Sequence, residues 1–172
     1  MCPTLHDLPA RLDDRLRAAG DAAADTRLGL LIGDRRWLVR LAEAGEIVPL
    51  PAIAPVPLTR DWFRGLVNLR GALFTVVDVA CFAGGAPTPL DKDARLLALG
   101  AKLQFNASIL VSKMLGLRST AAMRARTDLA HGAQPAAAPW QGAVWVDEAG
   151  VEWQELGLAG LVRDERFLQI GR

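Results

Sequence analysis

Few side chains in this sequence have the type and spacing that chemistry requires. The two histidines, His6 and His131, have no Cys, Asp or Glu at ligand spacing around them, so the sequence predicts no metal site. Cys81 could form a thiol nucleophile pair with a remote histidine. It lies in the apolar run V-V-D-V-A-C-F, however, which favours a buried structural cysteine.

Glycines and carboxylates give no catalytic pattern either. The sequence has no G-x-x-x-x-G-K-[ST] loop, and Gly84-Gly85 is interpreted as a turn. The carboxylate pairs Asp13-Asp14 and Asp147-Glu148 fall at predicted exposed positions, where solvent makes them unsuited to acid–base catalysis. We therefore expect a protein without catalytic activity, cofactor or metal. A cysteine-dependent enzyme using Cys81 stays as an alternative.

Net charge argues against a nucleic-acid or lipid partner. Twenty Lys plus Arg against nineteen Asp plus Glu leave a formal charge of +1, so no global field attracts the chain to phosphates. The five tryptophans are not interleaved with cations, which favours core packing over base stacking. A small β-barrel that binds single-stranded nucleic acid is nevertheless kept as a second alternative.

Length and apolar patterning predict one compact cytoplasmic domain. The 172 residues suffice for a single folding unit, and the two cysteines, Cys2 and Cys81, are too far apart to suggest a disulfide framework. The longest apolar stretch, Gly71 to Gly85, is cut by Asp78 and is too short to span a bilayer. The N-terminus lacks a signal-peptide pattern. We expect no direct membrane insertion.

The first 25 residues differ in pattern from the rest. Leu8, Leu12, Leu16 and Ala19 recur at helical spacing, which predicts an amphipathic helix from Asp7 to Ala19 followed by a short linker. The remainder, 26–170, is predicted to be one folding unit.

That remainder is predicted to be mainly β. Alternating apolar residues and the Gly33-Asp34 turn predict a hairpin over Arg27 to Leu41, and prolines between 49 and 57 indicate an edge or loop. Other predicted elements are a helical turn at 59–63, a strand buried on both faces at 72–79, strands at 94–100, 107–113 and 115–119, a hairpin over 143–154, and a short helix at 158–167.

The most informative segment is Trp62 to Val79, W-F-R-G-L-V-N-L-R-G-A-L-F-T-V-V-D-V. Gly65 and Gly71 are predicted to bracket a sharp chain reversal, in which Asn68 bonds its own backbone. Arg70 would then be held at a rigid rim before a buried strand. Its guanidinium is suited to bidentate contact with a partner, but an Arg satisfied within its own domain fits the spacing equally well.

The motif G-x-x-N-L-R-G, followed by an apolar strand that ends near Asp78, resembles the signature of CheW-like chemotaxis coupling proteins. The likeness extends from Thr26 to Thr120. The N-terminal helix, the run D-V-A-C-F-A-G-G and the Trp-containing C-terminal part resemble the branch that serves type IV pilus twitching motility.

This resemblance implies two small five-stranded SH3-like barrels packed side by side and an adaptor function. The implied partners are the regulatory domain of a CheA-type histidine kinase and the cytoplasmic tip of a methyl-accepting chemoreceptor. By motif match, Arg70 would face the receptor, Gly65, Asn68 and Gly71 would shape that surface, and Glu46 would lie in the neighbouring partner-binding region. The chain departs from the family pattern at Ser112, where relatives commonly carry an acidic residue.

Overall fold

The structure, a computed structural model, describes residues 25–126 and 138–172. The predicted helix from Asp7 to Ala19 and both histidines lie outside these ranges. The strands are β1 Thr26–Ile32, β2 Arg35–Arg40, β3 Ala44–Pro49, β4 Phe63–Leu69, β5 Ala72–Val77, β6 Arg95–Leu99, β7 Ala107–Val111, β8 Lys113–Ser119, β9 Arg124–Ala125, β10 Gln141–Val146 and β11 Glu152–Leu156. The α-helices are α1 Val79–Phe82, α2 Leu158–Leu161 and α3 Glu165–Leu168, and single 3-10 turns occupy Ala101–Leu103 and Thr120–Ala122.

The strands form two mixed sheets. A six-stranded sheet has the order β8-β1-β2-β11-β10-β9, and a five-stranded sheet has the order β3-β6-β7-β5-β4. From Thr26 the chain forms β1 and β2 of the first sheet, builds the whole second sheet from β3 to β7, and then returns to the first at β8. The predicted mainly β fold with two lobes is confirmed. The first sheet gains a sixth strand because the two-residue β9 pairs with β10.

The five-stranded sheet closes on itself. Strands β3 and β4 are at opposite ends of its order, yet the chain that continues from β3 reaches β4. Ala54 forms an isolated antiparallel bridge with Leu66, with amide-to-carbonyl distances of 2.8 and 2.9 Å in the two directions. This bridge joins the segment that follows β3 to β4, at the other end of the strand order, which gives the lobe the geometry of a small barrel.

One hydrophobic core is shared by both sheets. Alternate residues of β1 (Leu28, Leu30 and Ile32) are buried because side chains in a strand point to opposite faces in turn. They pack in the same cluster as Leu97 and Ile109 of the five-stranded sheet. A smaller second cluster lies within that sheet and contains Val67, Val76, Ala94, Leu96 and Leu110. The larger cluster therefore holds the two lobes together.

Glu43 lies in the turn from β2 to β3, where the chain passes from the first sheet to the second. Its side chain binds the start of α2. Its Oε2 accepts hydrogen bonds from the amides of Leu158, at 2.6 Å, and Ala159, at 3.2 Å. Gly157 precedes α2 and has no side chain to provide this cap. Glu43 thus satisfies amides that the first turn of a helix leaves without partners.

Three predicted elements differ from those observed. The segment 59–63 is a turn closed by the Phe63 amide on the Arg60 carbonyl, not a helical turn. Strand β5 is buried only at its end, since Ala72 and Leu73 are exposed. The C-terminal helix is broken in two because the Asp164 side chain accepts a hydrogen bond from the Arg166 amide and starts α3. No helix in the described ranges is long and apolar enough to cross a membrane.

Candidate partner-binding corner

The corner predicted around Arg70 is a two-residue turn between β4 and β5. Leu69 pairs with Ala72, so Arg70 and Gly71 alone make the reversal. Both residues have positive φ, 53° and 85° respectively. A turn with two such residues matches the right-handed twist of the flanking strands. Gly71 adopts this conformation freely, whereas Arg70 adopts it at an energetic cost of about 1–2 kcal/mol.

Asn68 stabilises this turn from the preceding strand. Its Oδ1 accepts a hydrogen bond from the Gly71 amide at 2.8 Å, the local backbone bond that the sequence predicted. The bond satisfies an amide that the turn would otherwise leave to solvent. The backbone on both sides of Arg70 is consequently fixed, and the start of its side chain has a defined direction.

The Arg70 guanidinium pairs with Glu46. Nη2 lies 2.6 Å from the Glu46 Oε1, while the two side chains remain 82% and 41% exposed. Glu46 lies in β3, at a register irregularity between Ala44 and Ile47, so the pair links β3 to the turn that follows β4, at the other end of the strand order. Arg70 therefore has a partner within its own domain and also presents most of its side chain to solvent.

Gly65 does not lie in the turn. It lies within β4, is buried, and has a φ of 131°, at a register shift between β4 and β5. A Cβ built on Gly65 would lie 2.2 Å from the carbonyl oxygen of Ala54. The predicted role of Gly65 in the reversal is wrong: it permits the close backbone approach of the Ala54 bridge that closes the barrel.

Two exposed apolar side chains are close in sequence to the charged pair, and the sequence analysis did not predict their exposure. Leu73 is 59% exposed and lies directly across from Asn68, so both point to the same outer face. Ile47, next to Glu46, is 37% exposed. Leu73 was missed because the apolar run of β5 predicts burial throughout. An Arg beside uncovered aliphatic groups is a composition typical of protein–protein contact sites.

Asp78, at the end of β5, is part of the interior and not of this surface. Its fully buried carboxylate accepts hydrogen bonds from the Thr88 amide at 2.7 Å and the Thr88 hydroxyl at 2.8 Å. It also caps α1 through the Cys81 amide at 3.3 Å. These bonds satisfy the carboxylate, and they fix the loop after α1 against the end of the strand.

The surroundings of Cys81 do not activate its thiol. Burial, together with the negative charge of Asp78, raises the pKa of Cys81 above its ordinary value. A raised pKa lowers the thiolate fraction, and the thiolate is the nucleophile. Within residues 25–126 and 138–172, no group of His, Cys, Asp and Glu side chains is arranged to hold a metal ion.

A cleft of about 930 Å³ lies beside Trp140, between α1 and the C-terminal helices. Two of its charged side chains, Asp164 and Arg166, are hydrogen-bonded to each other at 3.0 Å. The Arg166 guanidinium lies 5.1 Å from the centre of the Phe82 ring. The Asp164 carboxylate and the Arg166 guanidinium are therefore engaged within the protein.

Ser112, where the chain departs from the family pattern, connects the two lobes. Its Oγ accepts a hydrogen bond from the Gly33 amide at 3.1 Å, and its own amide donates to the Leu31 carbonyl at 2.9 Å. The hydroxyl therefore serves the β1–β2 turn.

The chain is similar to known proteins in sequence and in fold. Residues 28–151 match the family described as CheW-like domain. Protein PilI of Pseudomonas aeruginosa is 29% identical over 91 residues, which are 53% of this chain and 51% of that protein. The chain thus spans about half the length of this curated relative.

A solved structure has the same fold. It is the scaffolding protein TtCheW from Thermoanaerobacter tengcongensis, which superposes with a TM-score of 0.62 at 14% sequence identity. The superposition covers 77% of this chain and 88% of that one.

Proposed function

Because the chain belongs to the CheW-like domain family, we propose that it is a non-catalytic adaptor that couples a chemoreceptor to a CheA-type histidine kinase. The pathway is one that serves type IV pilus twitching motility, as the similarity to Protein PilI suggests. The receptor contributes its cytoplasmic tip and the kinase its regulatory domain. The adaptor works in the cytoplasm and reaches a membrane only through these partners.

The observation that carries the proposal is the Arg70 corner. Arg70 is held on a two-residue turn, fixed by Asn68 and oriented by Glu46, and yet is 82% exposed. Fixing an exposed guanidinium before binding reduces the entropy lost when a partner is bound. Its planar fork of donors suits carboxylates or helix-end carbonyls, and Leu73 and Ile47 add apolar area that a partner can cover.

The adaptor acts by geometry. Binding receptor and kinase on one rigid body raises the effective concentration of each partner for the other. A fixed relative orientation also allows the receptor's state to bias the kinase, because differential contacts in two states are what couples two sites. The shared core that joins both lobes supports such rigidity.

The test is receptor binding by Arg70→Glu. Reversing this charge beside Glu46 removes the guanidinium contacts and repels an acidic partner, so we expect affinity for a receptor-tip fragment to fall by about 1 to 3 kcal/mol. Isothermal titration calorimetry measures the affinity, and circular dichroism checks that the variant is folded.

A matched control is Arg60→Glu, which reverses another exposed arginine outside the β4–β5 corner. It should bind as the unaltered protein does. Arg70→Lys keeps the charge but loses the planar fork, and we expect an intermediate loss. Unchanged binding by folded Arg70→Glu would refute the role of the corner, and absence of any kinase or receptor binding by the unaltered protein would refute the adaptor function.

A further inference from the structure

The turn that leads into β4 exposes a leucine in an unfavourable backbone conformation. Pro57 and Leu58 are its central residues, and the Thr59 hydroxyl closes it by donating to the Val56 carbonyl at 2.8 Å. Leu58 has a φ of 60° and is 84% exposed. A residue with a Cβ adopts this left-handed conformation at an energetic cost, and a side chain in solvent gains no burial to offset it. Stability of the fold therefore does not explain a leucine at this position.

The segment that follows α3 fixes this turn in place. The Leu58 carbonyl accepts a hydrogen bond from the Arg172 amide at 3.0 Å, and the Arg60 amide donates to the Ile170 carbonyl at 2.8 Å. These two bonds flank an isolated antiparallel bridge. An ion pair between Arg172 and Asp61 adds a further link. The backbone that carries Leu58 is therefore held in its strained conformation before any partner binds, and strain of this kind is concentrated at functional sites.

The two paired segments together form one exposed surface, here named the Leu58 face, which consists of Leu58, Arg60, Leu168, Ile170 and Arg172. Leu58 lies across from Arg172, and Arg60 lies across from Ile170, since the two backbone bonds join these pairs. Residues directly opposite in antiparallel segments share one side. The Leu58 face thus combines exposed aliphatic side chains with guanidinium groups, and a cluster of exposed apolar side chains is typical of an interaction site.

Charge and shape define the partner that the Leu58 face fits. The Asp61 carboxylate is neutralised by Arg172, whereas no carboxylate of the described ranges pairs with Arg60. An exposed guanidinium without a partner beside apolar side chains favours a carboxylate on the binding protein. Leu58 projects from the tip of a turn, so its complement is a pocket on a folded domain. A helix or an extended peptide would instead need a groove or a sheet edge.

Strand β4 separates the Leu58 face from the Arg70 corner. The strand begins at Phe63, shortly after Leu58, and ends immediately before Arg70. Its seven residues span about 20 Å. The two surfaces therefore lie at opposite ends of one strand and share no residue, so that one rigid element connects them.

We propose that the Leu58 face binds the regulatory domain of the kinase, in an apolar pocket rimmed by carboxylates. Leu58 enters the pocket, Leu168 and Ile170 pack against its margin, and Arg60 pairs with a carboxylate at its rim. The inference rests on the proposed coupling function, which assigns the receptor tip to the Arg70 corner and requires a second surface for the kinase. The receptor state is then transmitted between the two ends of β4.

Leu58→Asn separates binding from stability. Asn adopts a positive φ more readily than Leu and removes the apolar side chain, so the Tm should be unchanged or higher than that of the unaltered protein. Affinity for the isolated regulatory domain of the kinase should nevertheless fall by about tenfold or more. Differential scanning calorimetry measures the Tm, and isothermal titration calorimetry measures the affinity.

Three further variants serve for comparison. Leu90→Asn, at an exposed leucine before β6, should leave the kinase affinity unchanged. Arg60→Glu should lower that affinity by about fivefold while sparing the receptor tip. Arg70→Glu should show the reverse, with weaker receptor binding and unchanged kinase binding, because the two surfaces share no residue.

Several outcomes overturn the inference, and they differ in what they leave standing. Unchanged kinase affinity of folded Leu58→Asn overturns it but leaves the adaptor function intact. Loss of receptor-tip binding in Leu58→Asn would assign the face to the receptor. Loss of a dimer, detected by analytical ultracentrifugation of the unaltered protein and the variant, would assign it to a second copy. If the unaltered protein does not bind the kinase regulatory domain at all, the adaptor function fails together with the inference.

Discussion

Arg70 illustrates how a single residue can be paired within its own domain and still be available to a partner. Its ion pair with Glu46 is solvent-exposed, and such pairs contribute little to stability, typically below about 1 kcal/mol. Its positive φ costs roughly as much or more. The folded domain gains little from this arrangement, so a role in binding explains it better than a role in stability.

The ionisation of a single residue, Asp164, makes the stability of the fold depend on pH. Hydrogen bonding to the Arg166 guanidinium, and to its amide, holds the pKa of Asp164 below its ordinary value, although burial acts in the opposite direction. A carboxyl whose pKa is lower in the folded state stabilises the fold above its unfolded pKa. That stabilisation is lost as the pH falls through the ordinary aspartate range, near pH 4, towards the folded pKa.

We therefore expect Asp164→Asn to be destabilised at pH 7 and to approach the unaltered protein at pH 3. Asn can still accept the Arg166 amide bond, so the variant isolates the effect of charge. Urea unfolding at both pH values measures the difference, and Asp93→Asn in an exposed turn is the control. A loss of the same size at both pH values would contradict this assignment.

At the scale of elements, the β4–β5 hairpin needs glycine at two positions for different reasons: Gly71 is in its turn, and Gly65 is at its register shift. A Cβ on Gly71 would meet no heavy atom within 4 Å, so Gly71→Ala introduces only backbone strain. We expect it to lower the free energy of unfolding by about 1 kcal/mol. A Cβ on Gly65 would meet the Ala54 carbonyl at 2.2 Å, and relieving that clash breaks the bridge that closes the barrel.

Gly65→Ala should accordingly lower the free energy of unfolding by about 3 kcal/mol or more. Urea denaturation of both variants, followed by circular dichroism, gives the comparison. Similar losses for the two variants would mean that the close approach at Ala54 relaxes easily, and that the barrel does not depend on it.

Local patterns predicted most of these elements because they depend on neighbouring residues. Alternation over Arg27 to Leu41, with Gly33 at its centre, was sufficient for the first hairpin. The bond from Asn68 to the Gly71 amide was likewise predictable, since it joins residues within one turn. The motif around Arg70 located the candidate corner.

The features that were missed depend on contacts distant in sequence. Gly65 is explained only by Ala54, and the partner of Arg70 is Glu46, on the far edge of the same sheet. Glu43 caps a helix 115 residues away. The hydrophobic pattern of one segment gives no information about contacts with a segment distant in sequence. Leu73 was misjudged because an apolar residue near a strand's exposed start has the same pattern as one at its buried end.

At the scale of the whole molecule, the arrangement of the sheets predicts that neither lobe is stable alone. Strands β3 to β7 form one sheet inserted between the strands of the other, and the larger core takes side chains from both. Separating the lobes would expose that core, at about 25 cal/mol for each Å² of apolar surface. Residues 26–170 are thus expected to unfold as one cooperative unit.

Leu110→Ala tests this expectation, because Leu110 belongs only to the smaller cluster inside the five-stranded sheet. Truncating this fully buried leucine should lower the free energy of unfolding by about 2 to 5 kcal/mol. Hydrogen exchange reports the free energy of the opening reaction that exposes each amide. If the lobes unfold together, Leu110→Ala must lower this free energy equally for the slowest-exchanging amides of β6 and β7 and for those of β1 and β2 in the other sheet. Native-state hydrogen exchange measures both sets in one experiment, and exposed Leu90→Ala is the control. Loss of protection confined to β6 and β7 would mean two independent lobes, and an adaptor whose partner sites are not rigidly connected.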